Sequence, residues 1–123
     1  MAPTLDCGHI VFRALLKKGW IDHVTKSVMP GAFFRRPAPR DPDGLSVDTD
    51  SPQSCVANLS TIFGVASLHV GRVRDLGLEV VPDEETHANV VGLPYADDDR
   101  ARAEFLASRL AREARLVSST YSP

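Results

Sequence analysis

Cysteine is nearly absent from this chain of 123 residues, and the two that occur, Cys7 and Cys55, match neither a zinc-binding spacing nor a redox pair. Reduced, structural thiols are the expectation. Cys7 and His9 together offer too few ligands for a metal, so no metal site is predicted. Long apolar runs are missing, as is a positively charged leader before an apolar stretch, so neither a bilayer span nor secretion is expected and the cytoplasm is the predicted location. A dominant charge is also missing. Fourteen Lys and Arg against sixteen Asp and Glu leave a formal charge of −2, which gives no global field to draw nucleic acid or an anionic membrane. The sequence likewise has no phosphate-binding glycine loop, no Gly-x-Ser-x-Gly elbow and no His-Glu-x-x-His helix, which removes the commonest enzyme signatures.

What remains has the balance of an ordinary globular chain, 43% apolar and 24% charged, at a length that supports one core. A single domain over 1–123 follows. Ile10-Val11-Phe12 reads as a strand leading into one or two helical turns over Ala14 to Lys18, and Ala32-Phe33-Phe34 after the Pro30-Gly31 turn reads as a second strand. Arg35, Arg36 and Arg40 are followed closely by Asp41, Asp43, Asp48 and Asp50, and three prolines fall between 37 and 44, so an exposed, charge-balanced, proline-rich loop is predicted over 37–44. Leu45-Ser46-Val47 is extended again. Ser51-Pro52 is the clearest helix start, with Val56, Leu59, Ile62 and Phe63 at helical spacing and Gly64 as a cap, which predicts a helix over about 52–63. Val65 to Val70, Leu78 to Val81 (stopped by Pro82) and His87 to Val91 read as further strands, with a turn or single helical turn over Gly71 to Gly77. A last helix follows Asp97-Asp98-Asp99, with Ala103, Leu106, Leu110, Ala114 and Val117 on one stripe, and residues 118–123 are expected to fray. The architecture is α+β (or α/β), a two-layer domain of four to five short strands with two main helices.

Three groups of polar residues stand at the ends of apolar runs. His69 and His87 could form an acid/base pair, because imidazole titrates near neutrality; the plainer alternative is two packed histidines with one hydrogen bond each. Arg13, directly after the first strand run, and Ser46 could bind an anion, or could serve an ion pair and a turn. Arg72 and Arg74 flank a turn that Gly71 lets a ligand approach, or belong with Asp75 to a surface turn. The candidate catalytic residues are thus His69, His87 and Arg13, and the candidate ligand-binding residues are Arg72, Arg74, Ser46 and Asn89. Arg13, His69, Arg72 and His87 are expected to face one cleft.

Several segments carry a likeness to known proteins. His69 and His87, with Gly71 and Asn89 two residues on, are faintly similar to the motifs of two-histidine phosphoesterases. Val11-Phe12-Arg13-Ala14 resembles the first-strand segment of ADP-ribosyltransferase domains. That likeness implies Arg13 on a dinucleotide phosphate, Ser46 bracing the site and a carboxylate among Glu79, Glu84 and Glu85 on a ribose hydroxyl. The order Phe-Arg-Arg, Gly-Leu-Ser-Val, Leu-His-Val-Gly-x-Val-Arg-Asp-Leu-Gly-Leu and His-Ala-Asn-Val-Val-Gly-Leu-Pro resembles small uncharacterised bacterial proteins. The functional expectation is a small intracellular enzyme or toxin-like protein acting on a nucleotide or nucleic acid, with no cofactor identified. The alternative is a non-catalytic protein-binding or assembly module that meets a protein partner through the C-terminal helix or the proline-rich loop.

Overall fold

The computed structural model describes residues 5–37, 40–57, 59 and 62–118. Eight strands follow in chain order: β1 (Ile10–Leu15), β2 (Ile21–Asp22), β3 (Ser27–Val28), β4 (Leu45–Asp48), β5 (Gly64–His69), β6 (Glu79–Glu84), β7 (His87–Val91) and β8 (Arg115–Ser118). The helices are α1 (Pro52–Val56), α2 (Val70–Asp75) and α3 (Arg100–Glu113), with 3₁₀ turns over Lys18–Trp20 and Pro30–Phe33. The α+β class holds. Six strands make one antiparallel sheet in the order β6-β7-β4-β1-β5-β8, and β2 and β3 form a separate hairpin.

Alternation along β1 sets the faces. Val11, Arg13 and Leu15 are buried on one side, while Ile10 is exposed and Phe12 and Ala14 are half-buried on the other. The register places Val11 opposite Leu68 and Arg13 opposite Ala66, and Leu45 and Val47 of β4 stand opposite Val90 and Ala88 of β7. Apart from Arg13, these residues, with Val80 of β6, belong to the core that also takes in Trp20, Phe33, Leu106, Ala107 and Leu110. α3 presents Ala103, Leu106, Ala107 and Leu110 inward, and its first turn is capped where the Asp99 carboxylate accepts from the Arg102 N–H at 3.1 Å. α1 packs against β1 and β4, where the Ser54 hydroxyl donates to Asp48 on the face opposite the core. Gly44 enters β4 at φ +132, and a Cβ there would meet the Val90 carbonyl oxygen at 2.5 Å, so a side chain cannot be placed without parting β4 from β7.

Several sequence expectations change. The strand from Ile10 continues to Leu15 in place of helical turns over Ala14 to Lys18, because Leu15 belongs to the same buried row as Val11. Ala32-Phe33 lies in a 3₁₀ turn, not a strand; Pro30 opens it, and Gly31 sits against the Trp20 ring. The Ser51-Pro52 helix start is correct, with the Ser51 hydroxyl accepting from the Ser54 N–H, but the helix ends at Val56. Residues 58, 60 and 61 lie outside the described residues. Gly64 opens β5 and does not cap a helix: Ile62 is buried on its own account and the Phe63 N–H donates to the Leu15 carbonyl, so the apolar spacing from Val56 to Phe63 joins two separate segments. β6 runs through Pro82, which an edge strand tolerates, and its register shifts between Pro82 and Glu84. The last helix stops at Glu113, so Ala114 and Val117 leave its stripe, and Val117 is exposed on β8. The predicted frayed tail falls outside the described residues beyond Ser118.

The proline-rich stretch is exposed at Pro37, Arg40, Pro42 and Asp43, yet it is anchored, with residues 38 and 39 outside the description. Asp41 is 1% exposed and accepts hydrogen bonds from the Arg36 N–H and guanidinium. Arg35 donates to the carbonyls of Asp41, Pro42 and Leu93 and lies 4.0 Å over the Tyr95 ring, whose hydroxyl also donates to the Asp41 carbonyl. Two of the three arginines read as a solvated patch therefore pin the loop.

Candidate functional site

The ladder between β1 and β4 holds a single register pair, Phe12 opposite Asp48. Beyond it the strands separate, and the Arg13 guanidinium bridges the gap: Nη1 donates to the Ser46 carbonyl at 2.9 Å and Nε to the Ala32 carbonyl. Its Nη2 is buried and has no partner among the described residues. The guanidinium carbon lies 5.4 Å from the centre of the Trp20 ring. Arg13 is only 4% exposed, and burial pulls its pKa down to about 10, with Asp41 pushing it up and Arg36 down. It stays charged at neutral pH. Asp41 does not neutralise it by direct contact, because its carboxylate is taken up by Arg36. Burial pushes Asp41 up, but the Arg36 hydrogen bonds and the charges of Arg36 and Arg13 hold it below the ordinary range.

A cleft of about 350 Å³ opens at this split. Arg13, Arg36, Ser46, Ser54, Cys55 and His87 contribute its polar wall, and Phe12, Leu16 and Leu59 are among its apolar residues. Cys55 is no nucleophile here, since burial and then Asp48 raise its thiol to about 11. Asp48 is itself satisfied, receiving the N–H groups of Asp50 and Ser51 and the Ser54 hydroxyl.

His87 stands at the start of β7, where the turn after β6 brings Asp83 beside it. Its Nδ1 meets the Asp83 carboxylate at 2.5 Å, and the other Asp83 oxygen accepts from Asn89 Nδ2 at 2.9 Å. Asp83 lies below the usual carboxylate range, chiefly through the His87 bond, and is ionised at neutral pH. In a neutral ring the proton sits on Nδ1, which leaves the lone pair on Nε2. Asn89, Asp83 and His87 thus form a hydrogen-bonded chain that orients the His87 ring in the cleft wall. Asp83, Glu84 and His87 are also the one cluster among the described residues with three potential metal ligands close together, but it is largely exposed and Asp83 and His87 already hold each other. The His9 Nε2 lies 2.7 Å from the Thr49 carbonyl oxygen.

The predicted residues therefore divide. Arg13, Ser46 and His87 line the cleft, with Asn89 behind His87. His69, Arg72 and Arg74 line a separate groove of about 520 Å³ beside α2. The expectation that Arg13, His69, Arg72 and His87 face one cleft is corrected, because His69 lies at the far end of β5, opposite Ile10. The His69–His87 pair is likewise not formed. In the groove, Arg74 is fully engaged, with Glu79 at 2.7 Å, Cys7 Sγ at 3.2 Å and the Leu5 carbonyl at 2.7 Å. Arg72 is exposed between Asp75 at 3.8 Å and Glu113 at 3.9 Å.

Asp83, Arg36 and Cys55 were absent from the sequence reading of the site. For Asp83 a signal existed: an aspartate and a histidine four residues apart across a turn between paired strands can meet. Arg36 and Cys55 carried none. Comparison with known protein families, curated proteins and solved structures finds no match for this chain.

Proposed function

We propose that this protein is a small enzyme acting on a nucleotide, bound in the cleft at the β1–β4 split. The observation that carries the reading is Arg13, a residue of the cleft lining whose buried guanidinium spends Nε and Nη1 on carbonyls and leaves Nη2 without a partner among the described residues. A buried donor without a partner is costly, and a ligand oxygen would remove that cost. One free nitrogen suits a single oxygen of a phosphate. The base or sugar of the ligand would lie against Phe12 and Leu59. The cleft volume is at the low end of the ~300–1,000 Å³ typical of small-molecule sites, which favours a mononucleotide or one half of a dinucleotide.

In this reading His87 takes a proton through Nε2 while Asp83 stabilises the imidazolium that forms and Asn89 holds Asp83 in place. The step is an acid/base step at the ligand atom nearest His87. Calorimetric titration with mononucleotides and with NAD tests the binding. Heat with at least one of them, retained in His87→Ala and lost in Arg13→Leu, is the expected result. No heat with any of them sinks the proposal.

A further inference from the structure

A concavity of about 620 Å³ lies away from the cleft, between the β2–β3 hairpin and the end of α3 with β8. Lys26, Arg112 and Arg115 stand in its lining, and Val28, Ala111 and Leu116 are among its apolar residues. Among the described residues, no acidic and no aromatic residue lines it. Among the described residues none of the three cations is paired with a carboxylate. β8 is the end strand of the large sheet and takes part in one ladder, with β5; β3 approaches it but pairs only with β2. Among the described residues, a strand margin without a ladder partner of its own therefore lies beside β3, next to positive charge that no carboxylate pairs and to apolar side chains.

We propose that this groove docks an extended acidic segment of a partner protein, which pairs along β8 as an additional strand. Backbone bonds to that margin supply the attachment, alternate side chains of the guest meet Val28, Ala111 and Leu116, and its carboxylates meet Lys26, Arg112 and Arg115. Charge complementarity selects the guest. Nucleic acid fits less well, since the lining offers no ring for bases to stack on and the chain as a whole is negative. A second copy of this chain fits less well too: its acidic margin is β6, where Pro82 removes a donor and the register is shifted.

The test is fluorescence anisotropy of the full chain with a labelled eight-residue peptide of alternating glutamate and valine. Saturable binding that weakens with added salt is expected, and the double variant Arg112→Glu with Arg115→Glu weakens it roughly tenfold or more. Both side chains are exposed, so an unchanged melting temperature confirms that the variant folds. N-methylation of alternate peptide bonds should abolish binding in one of its two registers. No binding, equal binding of the lysine counterpart, insensitivity to N-methylation in both registers, or equally tight binding of single-stranded RNA would overturn the proposal. Binding confined to a chain lacking residues 119–123 would also overturn it, by making the chain's own tail the occupant. Each outcome is independent of nucleotide binding in the cleft.

Discussion

The cleft at the β1–β4 split and the groove beside α2 each gather arginine and histidine, and they differ in what those side chains already hold. In the groove, Arg74 spends all three guanidinium nitrogens on Glu79, Cys7 and Leu5, and so ties the segment before β1 to α2 and β6. Arg72 stands in solvent between two carboxylates. In the cleft, a single arginine is buried, hydrogen-bonds only to carbonyls and leaves one nitrogen without a partner among the described residues. The groove has more arginines and less unmet hydrogen-bonding capacity, and the proposed ligand site rests on the unmet capacity of the cleft.

Substitution at Arg13 puts the greatest strain on that contrast. Arg13→Leu removes the donors to the Ala32 and Ser46 carbonyls, so a loss of about 2–4 kcal/mol in denaturant-measured stability is expected together with loss of nucleotide binding. Arg74→Leu should lower stability less and leave nucleotide binding intact; loss of binding in that variant would reverse the assignment of the two regions. His87→Ala comes next. A fall of about 10²–10⁴-fold in turnover with stability changed by less than about 0.5 kcal/mol is expected, and steady-state kinetics would show it.

Acid should also separate the regions. Asp41 is held below its ordinary range in the folded chain, so its contribution to stability is complete above the unfolded Asp pKa of ~3.9 and is lost as pH falls through the lowered folded value. Melting curves between about pH 5 and 2 should therefore show a steeper decline for the native chain than for Asp41→Asn. The smallest effects belong to the groove. Arg72→Ala and His69→Ala should each change stability by no more than about 0.5 kcal/mol and leave nucleotide binding unchanged. A marked effect of either on binding would join the two regions functionally.

Much of the fold was legible where local chemistry acts alone. The Ser51 cap, the helix after Asp99 and the strand His87–Val91 follow from capping and alternation within a few residues. β1 was read too short because its core-facing row is Val11, Arg13, Leu15, and an arginine in an apolar row breaks the pattern that announces a strand. The same residue was legible as a candidate and illegible in its role: the row that hides the strand is what buries the charge. His69 and His87 looked alike in sequence, each on a strand, and only the strand order separates them. Arg35 was misread as part of a solvated patch because its partners Leu93 and Tyr95 are about sixty residues distant, and Arg36 because nothing local in the sequence shows that Asp41, five residues on, is buried.

Pro82 carries a consequence for how this molecule behaves in a crowd. With a nitrogen that cannot donate and a displaced register, the β6 side of the sheet is a poor template for a further strand, whether from another protein or from a second copy. Replacing Pro82 with valine would restore the missing donor and be the simplest way to remove that brake.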